Sequence, residues 1–346
     1  MWTFLNPGRP RHLISLRRTV SLPDLPGKPL KLAIGVKISS SLRTISHFTA
    51  DFGPRFSAQV VPKLAVNPEI LHIETERQSA VYRAEDPELV KHFTAVVRDE
   101  YIPKEGETII VVAALLETGH CNVPADVPAV EHLFKLDTQE KRVAFLDQYG
   151  GFPYYLRKSA DGVFFQRYIE IACRALLPSL IWNGVAFEAH AQNVVARFET
   201  ATGKVLGFIY RDLGGLRIDP RILKESTGVD FQFLPGHCVV TQSLEEASPK
   251  FYHTFVHNHI QRLIRLLRLH TNGIGWELLR KHMTSVIPRD HKLWDLWMDS
   301  ERRRVDSKCL MRMRMKDSYR DVGQVIAARS ASNLKFYRWF IAHTSI

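Results

Sequence analysis

Apolar residues recur at helical spacing after Asp161, where Phe164, Tyr168, Ile171, Ala172, Ala175 and Leu176 fall on one face. That period predicts a long amphipathic helix, kinked at Pro178 and stopped at Gly184. The pattern then changes. Val194 to Phe198 and Val205 to Tyr210 are short β-type runs on either side of Ala201-Thr202-Gly203, and together they predict a hairpin. A hairpin brings its outer ends together. Asn193 and Asp212 are therefore expected side by side, with Glu188, His190 and Arg211 near them.

Upstream, Leu30 to Ile38 alternates apolar and polar positions and predicts a strand. Ile70 to Glu74 and Thr108 to Leu115 predict two more. Gly53-Pro54 predicts a turn, followed by a helix from Phe56 to Leu64. Asp86, with Pro87 at the first helical position, predicts a helix running to Tyr101. Helices are also expected over Pro128 to Lys135 and Thr138 to Tyr149. Downstream, Phe251 to His270 and Leu293 to Met298 read as helices, and Arg338-Trp339-Phe340 as part of a docked terminal helix. Arg302 to Lys316 interleaves basic residues with methionines and predicts a helix with a solvated basic face.

These elements predict an α+β fold, with a mixed or antiparallel sheet subdomain, flanking helices and a largely helical C-terminal subdomain. The expected division is an irregular segment over 1–29, a fingers-like α/β part over 30–155 and a palm-like part over 156–346. A chain of 346 residues, 45% of them hydrophobic, can bury a large core, and two subdomains are expected.

No apolar run reaches membrane-spanning length, so no membrane partner is expected. The opening MWTFLNPGRPRHL lacks the apolar core of a secretory signal, and cytoplasmic placement is expected. Cys121, Cys173, Cys238 and Cys309 are scattered, which suits buried thiols in a reducing compartment. The formal charge of +11 invites a nucleic-acid partner, but the arginines are spread along the chain and no binding motif accompanies them. An enzyme that handles polyanions carries the same excess. His253 and His257, four apart, could share a helix face as metal ligands; without a third ligand in the pattern, a plain histidine pair is expected.

The candidate chemistry gathers at the two ends of the hairpin. Glu188, His190, Gln192 and Asn193 fall within six residues, and Arg211-Asp212 follows the second strand. A magnesium–nucleotide site needs this mixture: oxygen ligands for a hard cation, amides and a cation for phosphates. A second donor-rich stretch is Ser39-Ser40-Ser41-Leu42-Arg43-Thr44. Its hydroxyls, amides and guanidinium can wrap a phosphate chain, or simply cap a helix beside a solvated arginine.

Three segments in order resemble the siderophore synthetases that work independently of nonribosomal peptide synthetases, the IucA/IucC family. They are LKLAIGVKISSSLRT, FGPRFSAQVV, and GVAFEAHAQN followed by YRDLGGLRI. The last pairs Glu-Ala-His-x-Gln-Asn with a later Arg-Asp, a rare combination. The resemblance spans most of residues 13 to 320. It implies an enzyme that joins a carboxylic acid, often citrate, to an amine or alcohol after ATP adenylates the carboxylate. It further implies that Ser40, Ser41, Arg43 and Thr44 hold ATP phosphates, and that His190, Gln192 and Asn193 contact nucleotide or carboxylate. Glu188 and Asp212 would hold Mg²⁺. Arg211 would brace the phosphates, and with His190, protonated, would offset charge during catalysis. Family members are often dimeric, so a homodimer is expected.

The family's Gly-His-Pro-x-His-Pro-x-x-Lys motif does not occur in this sequence, so a truncated form or one half of a split enzyme is expected. Asn333-Leu334 stands where the family has Asn-Pro-Leu. Two other functions stay open. His190-x-x-Asn193, a hairpin and then Asp212 resemble the layout of kinase-like phosphotransferases, without an aspartate at the position of the base. A non-catalytic module that binds a carboxylate or a partner protein is the third.

Overall fold

The hairpin forms where the apolar runs place it. The computed structural model describes residues 19–38, 41–118, 127–146, 168–299, 304–308 and 322–326. Its strands are β1 (Thr19–Val20), β2 (Leu30–Leu32), β3 (Lys37–Ile38), β4 (Ser41–Leu42), β5 (Leu71–Ile73), β6 (Glu76–Ala80), β7 (Ala95–Arg98) and β8 (Glu107–Val111), then β9 (Val185–Ala186), β10 (Val194–Glu199), β11 (Val205–Tyr210), β12 (Arg217–Ile218), β13 (Arg304–Lys308) and β14 (Val322–Ile326). One sheet has the order β5-β11-β10-β8 and another β1-β2-β7-β6, and helices flank both, giving an α+β fold.

β10 and β11 pair antiparallel with Val194 opposite Tyr210, and β8 extends the sheet antiparallel while β5 joins it parallel. The Arg211 amide donates to the Asn193 carbonyl at 3.1 Å, which carries the pairing one step beyond the strands. Val194 to Phe198 are all buried, as expected for a strand covered on both faces. Helix Tyr168–Leu176 packs on β11 and buries Tyr168, Ile169, Ile171, Ala172, Cys173, Ala175 and Leu176. Each of the three larger aliphatic side chains, Ile169, Ile171 and Leu176, stabilises the fold by roughly 1.5–3 kcal/mol. Burial pushes the Cys173 thiol pKa up, consistent with an inert core thiol. A second helix, Pro178–Asn183, follows and ends at Gly184, whose φ of 65° is left-handed.

Several local expectations give way. Gly53-Pro54 is no turn but lies inside helix α1 (His47–Gln59), which Ser46 caps through the Thr49 amide. Pro54 cannot donate to the Ala50 carbonyl, and the Ser79 hydroxyl donates there at 2.7 Å instead. Gly53 is needed because a Cβ would stand 1.9 Å from Glu76 Oε2. The helix predicted from Asp86 to Tyr101 is confined to Pro87–Val90; its second half is β7, where Val96 and Val97 suit a strand paired on both sides by β2 and β6. The strand predicted over Leu30 to Ile38 divides into β2 and β3, and that over Thr108 to Leu115 ends at Val111 and turns into a short helix, Val112–Leu115.

The helix expected from Phe251 changes character along its length. Leu244–Phe251 is α-helical, Tyr252–Ile260 is a π-helix, and Gln261–Leu266 is α-helical again. Within the basic stretch, Arg304–Lys308 is not helical but a strand paired antiparallel with Val322–Ile326, and Val305 points inward. Asp161, Cys121, Cys309 and the terminal Arg338-Trp339-Phe340 lie outside the described residues. Among the described residues no helix is long and apolar enough to cross a membrane.

Candidate functional site

The end of the ribbon opposite its turn gathers two carboxylates. The buried Tyr210 hydroxyl accepts the Glu188 amide at 3.1 Å and donates to the Asp212 carbonyl at 3.3 Å, so one phenol ties the two acidic residues together. Two consecutive glycines stand against their side chains. A Cβ on Gly215 would lie 1.9 Å from Glu188 Oε2, and one on Gly214 would lie 3.7 Å from Asp212 Oδ1. Only a glycine at 215 leaves room for that carboxylate. Asp212 itself adopts a left-handed conformation, φ 74° and ψ 80°, as it opens the 3₁₀ turn Leu213–Gly215. Such strain at a non-glycine residue is typical of sites where side-chain direction matters.

The residues between Glu188 and Asn193 form a tight loop. The Asn193 amide donates to the His190 carbonyl at 2.9 Å, and its buried side-chain amide donates to the Glu188 carbonyl at 3.2 Å. Arg211 reaches across the ribbon and donates to the Gln192 carbonyl from Nε at 3.2 Å and Nη2 at 2.8 Å, while the Gln192 side chain is exposed. The Gln192 amide donates to His190 Nδ1 at 3.2 Å, which leaves the His190 proton on Nε2. Burial holds the His190 pKa below its ordinary value; Glu188 and Asp212 work against that, and Lys250 adds to it. His190 is thus a neutral Nε2–H donor near pH 7. Burial works against the protonated imidazole expected from the sequence.

Four residues unremarked in the sequence complete the site. Lys31 Nζ lies 2.7 Å from Asp212 Oδ1 and Arg98 Nη2 lies 3.1 Å from the same oxygen. Both cations also face Glu76, with Arg98 Nη2 at 3.0 Å and Lys31 Nζ at 3.9 Å from its Oε1. Lys250 pairs with Glu188. Glu76 is 0% exposed and Lys31 3%, against 27% for the Asp212 side chain. Glu76 Oε2 has no hydrogen-bond partner among the described residues. The available signal was weak: in LKL the charged residue is the inward one, opposite to what alternation suggests.

Ser40 lies outside the described residues. Ser41 belongs to β4, which pairs with β3. The Arg43 amide donates to the Val36 carbonyl at 2.9 Å, and its own carbonyl accepts the Ile34 amide at 3.0 Å and the Gly35 amide at 3.3 Å. The Thr44 amide donates to Leu42 at 3.0 Å. The Ser-Arg-Thr stretch is therefore a small hairpin. It leads into α1, whose Thr49 methyl would lie 3.2 Å from a Cβ on Gly214, beside the Asp212 turn.

His253 and His257 stack edge to face with ring centres 5.7 Å apart, and burial lowers the His257 pKa to about 4. Among the described residues no group of three or more His, Cys, Asp and Glu is placed to hold a metal ion. That argues against an all-protein metal cage. It is compatible with Mg²⁺, which takes one or two carboxylates and completes its shell with water and substrate phosphates. Glu188 and Asp212 fit that requirement, and each lies against a cation that balances its charge when no metal is present.

The sequence profile of the IucA / IucC family matches residues 11–117, and that described as ferric iron reductase FhuF-like transporter matches residues 163–322. The NRPS-independent siderophore synthetase rfs of Rhizopus delemar is 44% identical over 307 residues, covering 88% of this chain and 45% of the relative. The D-ornithine–citrate ligase of Staphylococcus aureus is 22% identical, covering 75% of this chain and 38% of the relative. The structure of ATP-bound aerobactin synthetase IucA from Klebsiella pneumoniae superposes with a TM-score of 0.60 at 14% identity, covering 87% of this chain and 52% of that one. The chain spans about half the length of the curated relatives it matches.

Proposed function

Because the chain belongs to the IucA/IucC family of siderophore synthetases, we propose that it is the ATP- and Mg²⁺-binding part of a ligase. The ligase activates a citrate-like polycarboxylate as its adenylate and joins it to an amine or alcohol. The observation that carries this reading is the meeting of Glu188 and Asp212 across the Tyr210 hydroxyl. Their acids would hold the metal, which supplies positive charge against the phosphates and the attacking carboxylate.

The chain's own residues supply the rest. His190 presents a neutral Nε2–H donor, with Lys250 beside it as a cation. Lys31 and Arg98 hold the Asp212 carboxylate in place. The hairpin carrying Ser41, Arg43 and Thr44 would take the phosphate chain. A carboxylate attacking a phosphate meets strong repulsion, and fixed positive groups around it lower that barrier. One relative is named for citrate and one neighbour binds ATP, which supports the same reading.

Calorimetry tests the site first. Mg-ATP should bind the wild type, and Asp212→Asn and Arg43→Ala should each weaken it by about tenfold or more. Unchanged affinity in both would remove these residue assignments. Product analysis over citrate, 2-oxoglutarate and succinate derivatives, with hydroxylamine as nucleophile, should then give AMP and pyrophosphate. ADP would point to a kinase. No heat with ATP in a well-folded sample would point to a non-catalytic module.

A further inference from the structure

The π-helix Tyr252–Ile260 runs behind the loop that carries Glu188 and His190. Two of its side chains close on one residue, Ala189. The Ala189 amide donates to Thr254 Oγ1 at 3.1 Å, and the Ala189 carbonyl lies 3.3 Å from His259 Nδ1. A carbonyl only accepts, so Nδ1 carries the proton and Nε2 accepts the Tyr168 hydroxyl at 2.7 Å. Thr254 Oγ1 has its own acceptor in the Lys250 carbonyl at 2.9 Å. Thr254, His259 and Tyr168 are all buried. Burial lowers the His259 pKa to about 3, so the imidazole stays neutral in this role.

Thr254 and His259 are five residues apart. With 3.6 residues per turn, an α-helix would set them about 140° apart around its axis, facing away from a shared residue. In a π-helix the i→i+5 bond closes a turn, so residues five apart stack on one side. A second pair shows the same spacing: the His253 Nε2 and Asn258 Nδ2 atoms are 3.0 Å apart.

We propose that the π-helix is a positioning device for the nucleotide–metal site: Thr254 and His259 grip both polar groups of Ala189 and so set the directions of Glu188 and His190 on either side of it. The proposal rests on the function read above for those two residues. It gives a purpose to an otherwise unfavourable helix geometry, since the wider turn is what lets one helix hold both backbone polar groups of one residue. Thr254, His259 and Tyr168 are positioning residues, because none touches the reacting atoms.

The test compares Thr254→Val with Thr254→Ser. The valine keeps the shape and removes the acceptor, and the serine restores it. Amide hydrogen exchange over residues 187–193 and the Mg-ATP dissociation constant are measured on each, with melting curves alongside. In Thr254→Val the Ala189 amide should exchange about tenfold faster or more. Mg-ATP should bind about tenfold more weakly. Thr254→Ser should behave as wild type in both. Unchanged exchange in the valine variant overturns the grip; faster exchange with unchanged Mg-ATP affinity overturns its role in the site. If Thr254→Val does not fold, Tyr168→Phe removes the hydroxyl that fixes His259; Mg-ATP should again bind about tenfold more weakly, and unchanged affinity overturns the role in the site. If the wild type binds no Mg-ATP, the functional reading of the site fails, and exchange alone then decides whether the grip exists.

Discussion

The two four-stranded sheets are built on opposite principles. In β5-β11-β10-β8 the buried side chains are apolar, apart from Arg197, which pairs with Glu107 at 2.6 Å. In β1-β2-β7-β6 the buried positions are Lys31, Glu76, Arg98 and one valine, Val96. The first sheet is held by area removed from water, which is indifferent to nearby charge. The second meets the site through ions. Asp212 is the joint: its backbone continues the apolar ribbon, and its carboxylate belongs to the ionic sheet.

The largest expected effect lies in the apolar sheet. Phe208 is 0% exposed and meets the Tyr168 ring edge-on at 5.1 Å. Phe208→Ala should cost about 3–5 kcal/mol in denaturant unfolding, with little dependence on salt. Next comes Glu76→Gln, which leaves Lys31 and Arg98 buried with one carboxylate fewer and should cost about 3 kcal/mol. Its loss should shrink if Mg-ATP neutralises the same region, whereas the Phe208→Ala loss should not. A Glu76→Gln cost below about 1 kcal/mol would show that the outer sheet is not held by its ions.

This contrast also explains what could be read in advance. The ribbon was legible because its apolar runs and its Thr202-Gly203 turn agree locally and globally. From that alone the nearness of Asn193 and Arg211-Asp212 follows. The ionic sheet was not legible. Lys31 occupies a position that alternation assigns to solvent, and the Val96-Val97 pair was absorbed into a helix started by Asp86 and Pro87. Charged residues buried against each other leave no periodic trace, since each is individually a surface residue type. The π-helix was equally hidden, because its residues favour helix without stating which pitch.

Acid should separate the regions further. The folded pKa values of His257 and His259, about 4 and about 3, lie below the ordinary 6.5. Below pH 6.5 the unfolded chain takes up protons that the folded one refuses, so stability is present above that value and is lost as pH falls toward 4 and 3. Between pH 7 and pH 5 each histidine should cost on the order of 2 kcal/mol. Unfolding measured across that range should show a shallower slope in His257→Gln. Both histidines lie on the π-helix, so this loss arises there and not in the ionic sheet.

The smallest expected effect sits on α1, the element that touches both regions through β6 and the Leu213–Gly215 turn. Pro54 leaves the Ala50 carbonyl without its helical donor, and Ser79 of β6 supplies one at 2.7 Å. Ser79→Ala should therefore cost about 1 kcal/mol, near the net worth of one hydrogen bond. In a Pro54→Ala background the helix amide regains that carbonyl, so the same substitution should cost less, with a coupling of about 0.5 kcal/mol in a double-mutant cycle. Equal costs in both backgrounds would mean that the serine stabilises β6 for some other reason, and that the outer sheet is tied to the helix by its ions alone.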